Sequence, residues 1–565
     1  MVLDIEDHGT PMSCFQCEQT LKPTGCIKAG VCGKAPKTAL IQDAIAYACA
    51  HLSKKPQLDD MLLLIQAIFA TLTNVNFDDE ALISRFLVPL CDRIRACPCS
   101  KEEPVAGFLK LAKSVAEEPF EKWHSTARKS ISPDVLKQKY GPTNGGLRYM
   151  ILLGVKGMAA YADHAYNLTT LLNTDPGVLF QAFSEMCPYL HKALLEDKLD
   201  TSQLLEFSLA IGKINLRVTE LLDEYHAEAL GVPTLCSVPI RLQPGKCILI
   251  TGHDFVDMYF LLQACEKEGI NVYTHGEMFP AYSYPKLRAF KCFKGHFGGA
   301  WYRQQKEMPH FPGAIVFTTN CIQTPLPSYR DRVFTMGCVG FTGLQHIERT
   351  DFSALIKCAK ECTGFTSAQH CRETEEAVIN SDIGKNCDLD AVHGVGFNHR
   401  ALDDPAMLSK LVGLIKSGKI KRIQVNGGCD GMNSARSVFG RNASEAPNDT
   451  LILTGACGRF RFNRVREYGD IDGIPRLLDT GQCNDFYSIA RIAKRVAEQL
   501  GCEVNDLPLD LYVSWYEQKA VVQLLTFLYL GIKGINLGPT MPLFLSTEAL
   551  GALSEAFKLR PILAQ

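Results

Sequence analysis

Seven short apolar segments in the second half of this 565-residue chain each run into a side chain that can bind iron. They are CILITGH ending at His253, NVYTHGE at Glu277, AIVFTTNC at Cys321, IQVNGGC at Cys429, LILTGAC at Cys457, RLLDTGQC at Cys483 and LYVSWYE at Glu517. Each reads as a buried strand that stops at a thiolate, an imidazole or a carboxylate. In open α/β sheets, ligands sit in the crevice beyond the carboxyl ends of the strands. Seven such endings predict one large site with four sulfurs, one nitrogen and two carboxylates. Thiolates suit iron–sulfur chemistry, while imidazole and carboxylate suit harder, oxygen-bearing metal positions. The set predicts a cluster that is part sulfide and part oxo.

Each of these residues also has a plainer reading. A lone buried cysteine is usually a small hydrophobe. Glycines close to Cys429, Cys457 and Cys483 in GGCDG, GACG and GQCND favour exposed turns instead. His253 in TGHD doubles as a helix-start residue with Asp254 as the cap. Glu277 and Glu517 close apolar strands, and a buried carboxylate is costly unless paired or metal-bound. Their alternative is internal ion pairs, for instance Glu517 with Lys519. Asn320 and Asn484 adjoin two of the cysteines and read either as donors to sulfur or as turn formers.

A second group lies near the amino terminus. Cys14, Cys17, Cys26 and Cys32 follow C-x2-C-x8-C-x5-C. Four thiolates so close in sequence can surround one compact centre, and Gly25, Gly30 and Gly33 let the backbone turn tightly around it. The spacing fits a [4Fe–4S] cluster; a structural zinc site and a metal-free loop stay open. All-thiolate zinc sites more often pair two CxxC knuckles, and only one is present. Lys22, Lys28, Lys34 and Lys37 read as a solvated loop or as a docking patch for an acidic electron donor. Cys97, Cys99, Cys358, Cys362, Cys371 and Cys387 lie in helix-like or polar stretches and are assigned no metal. There is no Walker loop, no GxGxxG opening a helix and no HExxH, so the common nucleotide and zinc-protease readings lack support.

The elements that must position these residues follow from periodicity. Residues from about 38 to 230 read mostly as helices, among them IQDAIAYACAHL, MLLLIQAIFATL, the stretch from Leu147 to Leu172 and that from Thr201 to Leu230. Between them, 98–146 carries proline, glycine and charge and reads as a connector between two helical bundles. After 231, GVPTLCSVPIRLQPGK reads as a linker, and strand-like runs then alternate with helix-like ones such as DFVDMYFLLQACEKEG and DFSALIKCAKE. That alternation predicts parallel α/β units. A polar stretch near 364–400 separates two of them, whose folds are free to be alike. The expected domains are 1–230, helical with the cysteine motif, then 231–375 and 376–565, both α/β with Rossmann-like, mostly parallel sheets.

Bulk composition agrees. Lys+Arg is 59 against 61 Asp+Glu, so a net charge of −2 gives no pull toward nucleic acid or anionic membrane. No apolar run reaches the ~18 residues of a membrane span. The start, MVLDIEDHG, resembles neither a secretory signal nor a transit peptide, so a cytoplasmic location is expected. The 23 cysteines, an odd number, argue against a secreted disulfide framework and for metal ligation or ordinary thiols in a reducing compartment.

Several longer motifs then come into view: the four amino-terminal cysteines, GHD, YTHGEM, GGAW, TTNC, GGCDG, GQCND, VSWYEQKA and the closing LGPTMP. In this order they resemble the hybrid cluster proteins, also called prismane proteins or hydroxylamine reductases. The resemblance covers nearly the whole chain. It implies that Cys14, Cys17, Cys26 and Cys32 hold a cubane [4Fe–4S] cluster, the gaps being those of the [4Fe–4S] type rather than the [2Fe–2S] type. It implies that His253, Glu277, Cys321, Cys429, Cys457, Cys483 and Glu517 hold a hybrid [4Fe-2O-2S] cluster, with Cys429 able to carry a persulfide. The implied fold is a helical amino-terminal domain, with its second bundle present, followed by two α/β domains.

The implied activity is reduction of hydroxylamine to ammonia and water with two electrons and two protons. The competing assignments are reduction of nitric oxide to nitrous oxide, NO-dependent S-nitrosylation or sensing, and a nickel–iron carbon monoxide dehydrogenase. The electron donor is expected to be a ferredoxin or an NADH-dependent flavin or iron–sulfur reductase. His253, Glu277, Cys429, Glu517 and Lys519 are the expected catalytic set, with His253, Glu277 or Lys519 delivering protons and Lys519 orienting or neutralising Glu517.

Overall fold

The computed structural model describes residues 11–20, 24–380 and 394–562. Its first half is helical. Pro36–Leu52 (α1) and Met61–Ala70 (α2) fall on two of the expected helices. Pro133–Leu172 (α3) and Thr201–Leu230 (α4) are the long pair that the rest of this region surrounds. A reciprocal cap starts α4: the Gln203 N–H donates to Asp200 Oδ1 at 2.8 Å, and the Asp200 N–H donates to Gln203 Oε1 at 3.0 Å.

The 98–146 stretch is not a connector. Val105–Glu117 and Phe120–Ser130 are helices, and α3 itself begins at Pro133. The residues that look like linker signals sit where helices tolerate them. Pro133 occupies the first turn, where its missing N–H has no partner to lose. Gly141, with φ 78°, and Pro142 mark a kink within α3.

Beyond 231 the chain builds two six-stranded sheets. The first contains Cys247–Thr251 (β1), Asn271–His275 (β2), Phe293–His296 (β3), Ala314–Phe317 (β4), Val333–Thr335 (β5) and Gln345–His346 (β6). Phe255–Glu268 (α5) and Ser353–Glu361 (α6) belong to this unit. The second sheet contains Arg422–Gly428 (β7), Thr450–Thr454 (β8), Leu477–Asp479 (β9), Leu509–Ser514 (β10), Asn536–Gly538 (β11) and Arg560–Pro561 (β12). Phe486–Leu500 (α7) and Gln518–Tyr529 (α8) belong to it. All pairings within both sheets are parallel.

The spatial orders are β3-β2-β1-β4-β5-β6 and β9-β8-β7-β10-β11-β12, the same order twice. This is the doubly wound order, whose ligand crevice opens where the chain reverses direction across the sheet, between β1 and β4 and between β7 and β10. The two halves are alike in topology although no sequence repeat announces it. The central strands β1, β4 and β8 are buried along their whole length, as parallel strands covered on both faces must be.

The polar stretch after 364 contains a helix, Ala368–Asn380; its remainder up to 393 lies outside the described residues, as does Cys387. The proline-rich segment after 231 contributes Cys236–Ser237, which pairs antiparallel with Gly394–Val395. Among the described residues no helix is long and apolar enough to cross a membrane.

The helical region and the second sheet unit meet along α8, which packs against α3 and α4. A Cβ on Gly157 of α3 would lie 2.3 Å from the Gln518 carbonyl oxygen, and one on Gly212 of α4 would lie 2.2 Å from that of Leu525. Only hydrogen on those Cα atoms lets the three backbones come so close. Because α8 starts directly after Glu517, this contact fixes the end of β10 relative to the helices. Gly157→Ala should therefore displace α8 and cost about 1–3 kcal/mol. The check is the thermal unfolding midpoint, which should fall; an unchanged midpoint would mean the contact is slack.

Candidate metal centre

The strand ends do converge. His253 follows β1, Glu277 follows β2 and Cys321 follows β4. From the second sheet, Cys429 follows β7, Cys457 follows β8, Cys483 follows β9 and Glu517 follows β10. All seven side chains line one cavity, together with Trp301, Asn320, Ala456, Tyr516 and Lys519. Ligand atoms of His253, Glu277 and Cys483 lie within 4.8 Å of one another. The glycine-marked turns are real, but they face this cavity rather than solvent: Gly427, Gly428, Gly455 and Gly481 are all buried.

Polar cross-links hold the two sheets' turns in register. Gln482 Nε2 donates to the carbonyl oxygens of His253 at 3.0 Å and Glu277 at 2.7 Å, tying the third ligand strand of one sheet to the first two of the other. Gln304 Nε2 donates to the Cys321 carbonyl at 2.8 Å. Arg459, fully buried, spans the Ala456 and Gly481 carbonyls and pairs with Asp479 at 2.9 Å. Ala456, the residue before Cys457, has φ 62° and ψ −172°, a conformation that non-glycine residues rarely adopt, at a cost of about 1–3 kcal/mol. The Arg459 and Gly481 contacts hold it there and so aim Cys457.

His253 and Asp254 take both readings of TGHD at once. Asp254 caps α5 by accepting from the Val256 and Asp257 N–H groups at 2.8 and 3.0 Å. His253 Nδ1 hydrogen-bonds Thr319 Oγ1 at 2.9 Å, which leaves Nε2 as its ligand atom. That nitrogen lies 3.0 Å from Lys519 Nζ, and Lys519 Nζ also donates to Asn320 Oδ1 at 2.8 Å. The expected Glu517–Lys519 relationship is thus only half right. The Lys519 backbone N–H donates to Glu517 Oε2 at 3.0 Å, whereas its ammonium turns to the histidine and the asparagine. Asn320 Nδ2 reaches Cys321 Sγ at 3.4 Å, as a donor to sulfur. Asn484 does not: it bonds Asp485 Oδ1 at 3.2 Å.

Behind His253 lie Asp163, His164 and Asp254, also buried and close together. Its two carboxylates are already paired, while His164 Nδ1 lies 3.7 Å from Asp254. Asn167 donates to both carboxylates, Arg349 lies 3.6 Å from Asp254, and the His164 ring stacks parallel to His253 at 6.1 Å. It supports the histidine and offers no second centre.

The donor set fits an inorganic core of positive charge. Both carboxylate oxygens of Glu277 are buried without a hydrogen-bond partner; Arg459 approaches only to 3.7 Å. Burial raises the Glu277 pKa, with Arg459 and Lys519 offsetting part of the effect. Burial does the same at Glu517 against Lys519. It pushes the Cys429 and Cys457 thiols well up, raises Cys321, and takes Cys483 to about 11 against the opposing Lys519 charge. Burial, then Lys519 and His164, hold the His253 imidazole neutral. Lys519 stays charged although burial works against it, because Cys483 and Glu517 face it. Metal-free, the four cysteines keep their protons at pH 7; bound to iron they would be thiolates.

The amino-terminal cysteines also come together. The Cys26 N–H donates to the Cys14 carbonyl at 3.0 Å, which closes the loop between them. The Cys17 thiol is raised by burial and then by Cys32 and Cys14 beside it, and Cys32 by burial against the Lys34 charge. The expected lysine cluster shrinks. Lys28 is exposed, but Lys34 is buried and donates to Gln42 Oε1 at 2.5 Å, while Lys37 faces Asp79 at 3.6 Å. Lys22 lies outside the described residues.

The two centres are wired to each other through residues that carry no motif. The Glu18 N–H donates to the Tyr516 carbonyl at 2.8 Å, one residue from Cys17 at one end and one from Glu517 at the other. Cys17, Trp301, Cys457 and Tyr516 pack as one small apolar cluster, with the Trp301 and Tyr516 rings 5.1 Å apart. Gln518 Nε2 donates to Gln16 Oε1 at 2.9 Å, and buried Arg436 binds Glu18 at 2.5 Å and the Cys429 carbonyl at 3.0 Å.

Comparison with known proteins places these features. A family model described as the Prismane/CO dehydrogenase family matches residues 12–564. A hydroxylamine reductase of Thermodesulfovibrio yellowstonii is 38% identical over 576 residues, covering 98% of each chain. A protein of the same name from Zymomonas mobilis is 40% identical over 567 residues, covering 98% of this chain and 97% of the other. Among solved structures, a nickel-free carbon monoxide dehydrogenase from Thermococcus sp. AM4 superposes with a TM-score of 0.51 at 16% identity, covering 98% of this chain and 88% of that one. Carbon monoxide dehydrogenase IV from Carboxydothermus hydrogenoformans gives 0.51 at 15%, covering 98% and 91%. At such identities these two show a shared fold.

Iron loading of metal-free protein at pH 7 should release protons into weakly buffered solution, because the raised thiol pKa values mean the four cysteines start protonated. Loading without proton release would contradict this picture of the cavity.

Proposed function

The chain belongs to the Prismane/CO dehydrogenase family, and from that premise we propose that it is an iron–sulfur oxidoreductase that reduces hydroxylamine. The balanced reaction is NH2OH + 2 H⁺ + 2 e⁻ → NH3 + H2O. Cys14, Cys17, Cys26 and Cys32 hold a [4Fe–4S] cluster. His253, Glu277, Cys321, Cys429, Cys457, Cys483 and Glu517 hold a hybrid iron–sulfur–oxygen cluster, with Cys429 as the cysteine that takes an extra sulfur. One observation carries the reading: seven donors from two sheets meet in one cavity, and one of them, Glu277, has no hydrogen bond at either oxygen, Arg459 approaching only to 3.7 Å. When bound, the hybrid cluster supplies stored electrons and a metal position for a small N–O compound.

The protein's own residues have four tasks. The ligand turns, cross-linked by Gln482 and Arg459, keep the donors from collapsing onto one another. Trp301 and Tyr516 wall the cavity and exclude water. Lys519 Nζ is a cation inside it, placed between His253 and Asn320, and supplies the proton that the departing oxygen needs. The Glu18–Tyr516 hydrogen bond gives a direct bonded connection from the Cys17 loop to the residue before Glu517, which would serve electrons passing inward from a cluster held by the four cysteines. The donor docks where Cys32 comes to the surface, on a face carrying exposed Lys28 and Val31, the latter 57% exposed. A ferredoxin or a flavin-containing reductase with an acidic face suits it.

Glu517→Ala should keep the fold and lose most hydroxylamine-dependent ammonia formation, with a changed hybrid-cluster spectrum. Lys519→Met should lower turnover by roughly 10²–10⁴-fold, as loss of a proton donor does, while leaving iron content near normal. Cys14→Ser with Cys17→Ser should slow reduction of the inner cluster without emptying it. Ammonia release at wild-type rate from the Lys519 variant would remove that residue from the mechanism. Nickel in the purified protein, or nitrous oxide from nitric oxide as the faster product, would overturn the hydroxylamine assignment.

A further inference from the structure

Away from both centres, one pair of cysteines is placed for chemistry of its own. Cys358 lies in the last turn of α6 and Cys362 caps that helix, its N–H donating to the Cys358 carbonyl at 2.9 Å. Four residues along a helix separate the Cα atoms by about 6 Å, inside the span a disulfide bridges. Cys362 is already off the helical path, with ψ 155°, so its side chain is not bound to helix geometry. Both thiols are free and only partly buried.

Positive charge is fixed against Cys362. Lys246 Nζ donates to its carbonyl oxygen. The Arg332 guanidinium lies beside the sulfur, pinned by the Phe311, Gly313 and Met308 carbonyls. Asp331 opposes them, and Cys247 lies within electrostatic range of the same sulfur. Cys362 opens onto a surface depression that His310, Arg332 and His370 also line. The net effect divides the pair: Cys362 is drawn down to about 7 by the neighbouring Cys358 thiol, with burial opposing and Arg332 helping, whereas Cys358 is pushed up. A thiolate donor beside a protonated thiol is the arrangement of an attacking and a resolving cysteine.

The pair is separate from the metal-binding turns by topology. The chain leaving Cys362 bonds back at Pro312 and Gly245, immediately before β4 and β1. It therefore sits at the amino-terminal edge of the first sheet, a strand length, about 13 Å, from the carboxyl edge where His253 and Cys321 project.

We propose that Cys358 and Cys362 form a peroxide-oxidisable dithiol that closes to a disulfide at the edge of the first sheet, independently of the metal centres. The Cys362 thiolate attacks hydrogen peroxide; an S–O bond forms, the O–O bond breaks, and hydroxide leaves and takes a proton. The Cys358 sulfur then attacks the Cys362 sulfenic acid, an S–S bond forms, the S–O bond breaks, and water leaves with the Cys358 proton. Two thiols and one peroxide give one disulfide and two waters.

The test uses the holoenzyme purified without oxygen. Trypsin cuts at Lys360, between the two cysteines, so the disulfide appears as a cross-linked peptide pair in mass spectrometry. A small excess of hydrogen peroxide at pH 7 should give that pair, and dithiothreitol should remove it. In the reduced protein, iodoacetamide should label Cys362 roughly 5- to 10-fold faster than Cys502, a partly buried cysteine outside any cluster. Cys358→Ser should leave a dimedone-reactive sulfenic acid on Cys362 and unchanged hydroxylamine turnover before oxidation. Free thiols at both positions after peroxide treatment would overturn the proposal, as would sulfenic acid persisting in the wild-type protein or labelling of Cys362 no faster than Cys502.

Discussion

The interior of this protein brings together two carboxyls, four thiols and an imidazole, of which only Cys321 and Cys429 are partly exposed, and that burial governs the rest of the molecule. A carboxylate taken out of water without a partner costs several kcal/mol. Glu277 has no hydrogen-bond partner at either oxygen, and Glu517 has its own helix cap and a thiol at 3.8 Å. One lysine cannot balance such a set. A polycationic core of the kind proposed would offset that cost, each cysteine releasing its proton to solvent as it binds. The surrounding architecture then has one task, which is to hold the donors apart until that core is in place.

Two copies of one topology perform it. Each sheet brings its ligands to the carboxyl edge at its reversal point, and the two edges face each other. Neither sheet has enough donors alone: one contributes a histidine, a glutamate and a cysteine, the other three cysteines and a glutamate. The faces are joined by side chains whose geometry is demanding. Gln482 spans two carbonyls of the opposite sheet, and Arg459 holds the strained Ala456 before Cys457. The helical region is tied in through α8, which carries Lys519 into the cavity and Gln518 to the amino-terminal loop. The amino-terminal cysteine loop and the inner cavity are thus linked by the stretch Tyr516 to Lys519 and by Arg436.

Much of this was legible in the chain, for a physical reason. Parallel strands covered on both faces are continuous apolar runs, so a polar or ionisable residue at the end of one stands out. His253, Glu277, Cys321, Cys429, Cys457, Cys483 and Glu517 all show that pattern, and the long amphipathic helices show theirs. The cross-links carry no such signal. Gln518 meets Gln16, 502 residues away, and Arg436 meets Glu18, 418 residues away; a buried glutamine or arginine looks like any surface residue until its partner is known. Lys519 orients and offsets Glu517 as its adjacency suggests, but its ammonium contacts, His253 and Asn320, lie too far along the chain for the sequence to show. The 98–146 region misled for the opposite reason: proline and glycine mark helix starts and kinks as readily as linkers.

Whether one inorganic core is shared by both sheets is tested most directly by the iron-edge anomalous difference map of crystals of the protein purified without oxygen. Two separate groups of iron peaks are expected, one among Cys14, Cys17, Cys26 and Cys32, the other bonded to all seven strand-end donors. Iron confined to the amino-terminal group, or an inner group that leaves Glu277 and Glu517 unligated, would contradict a shared core.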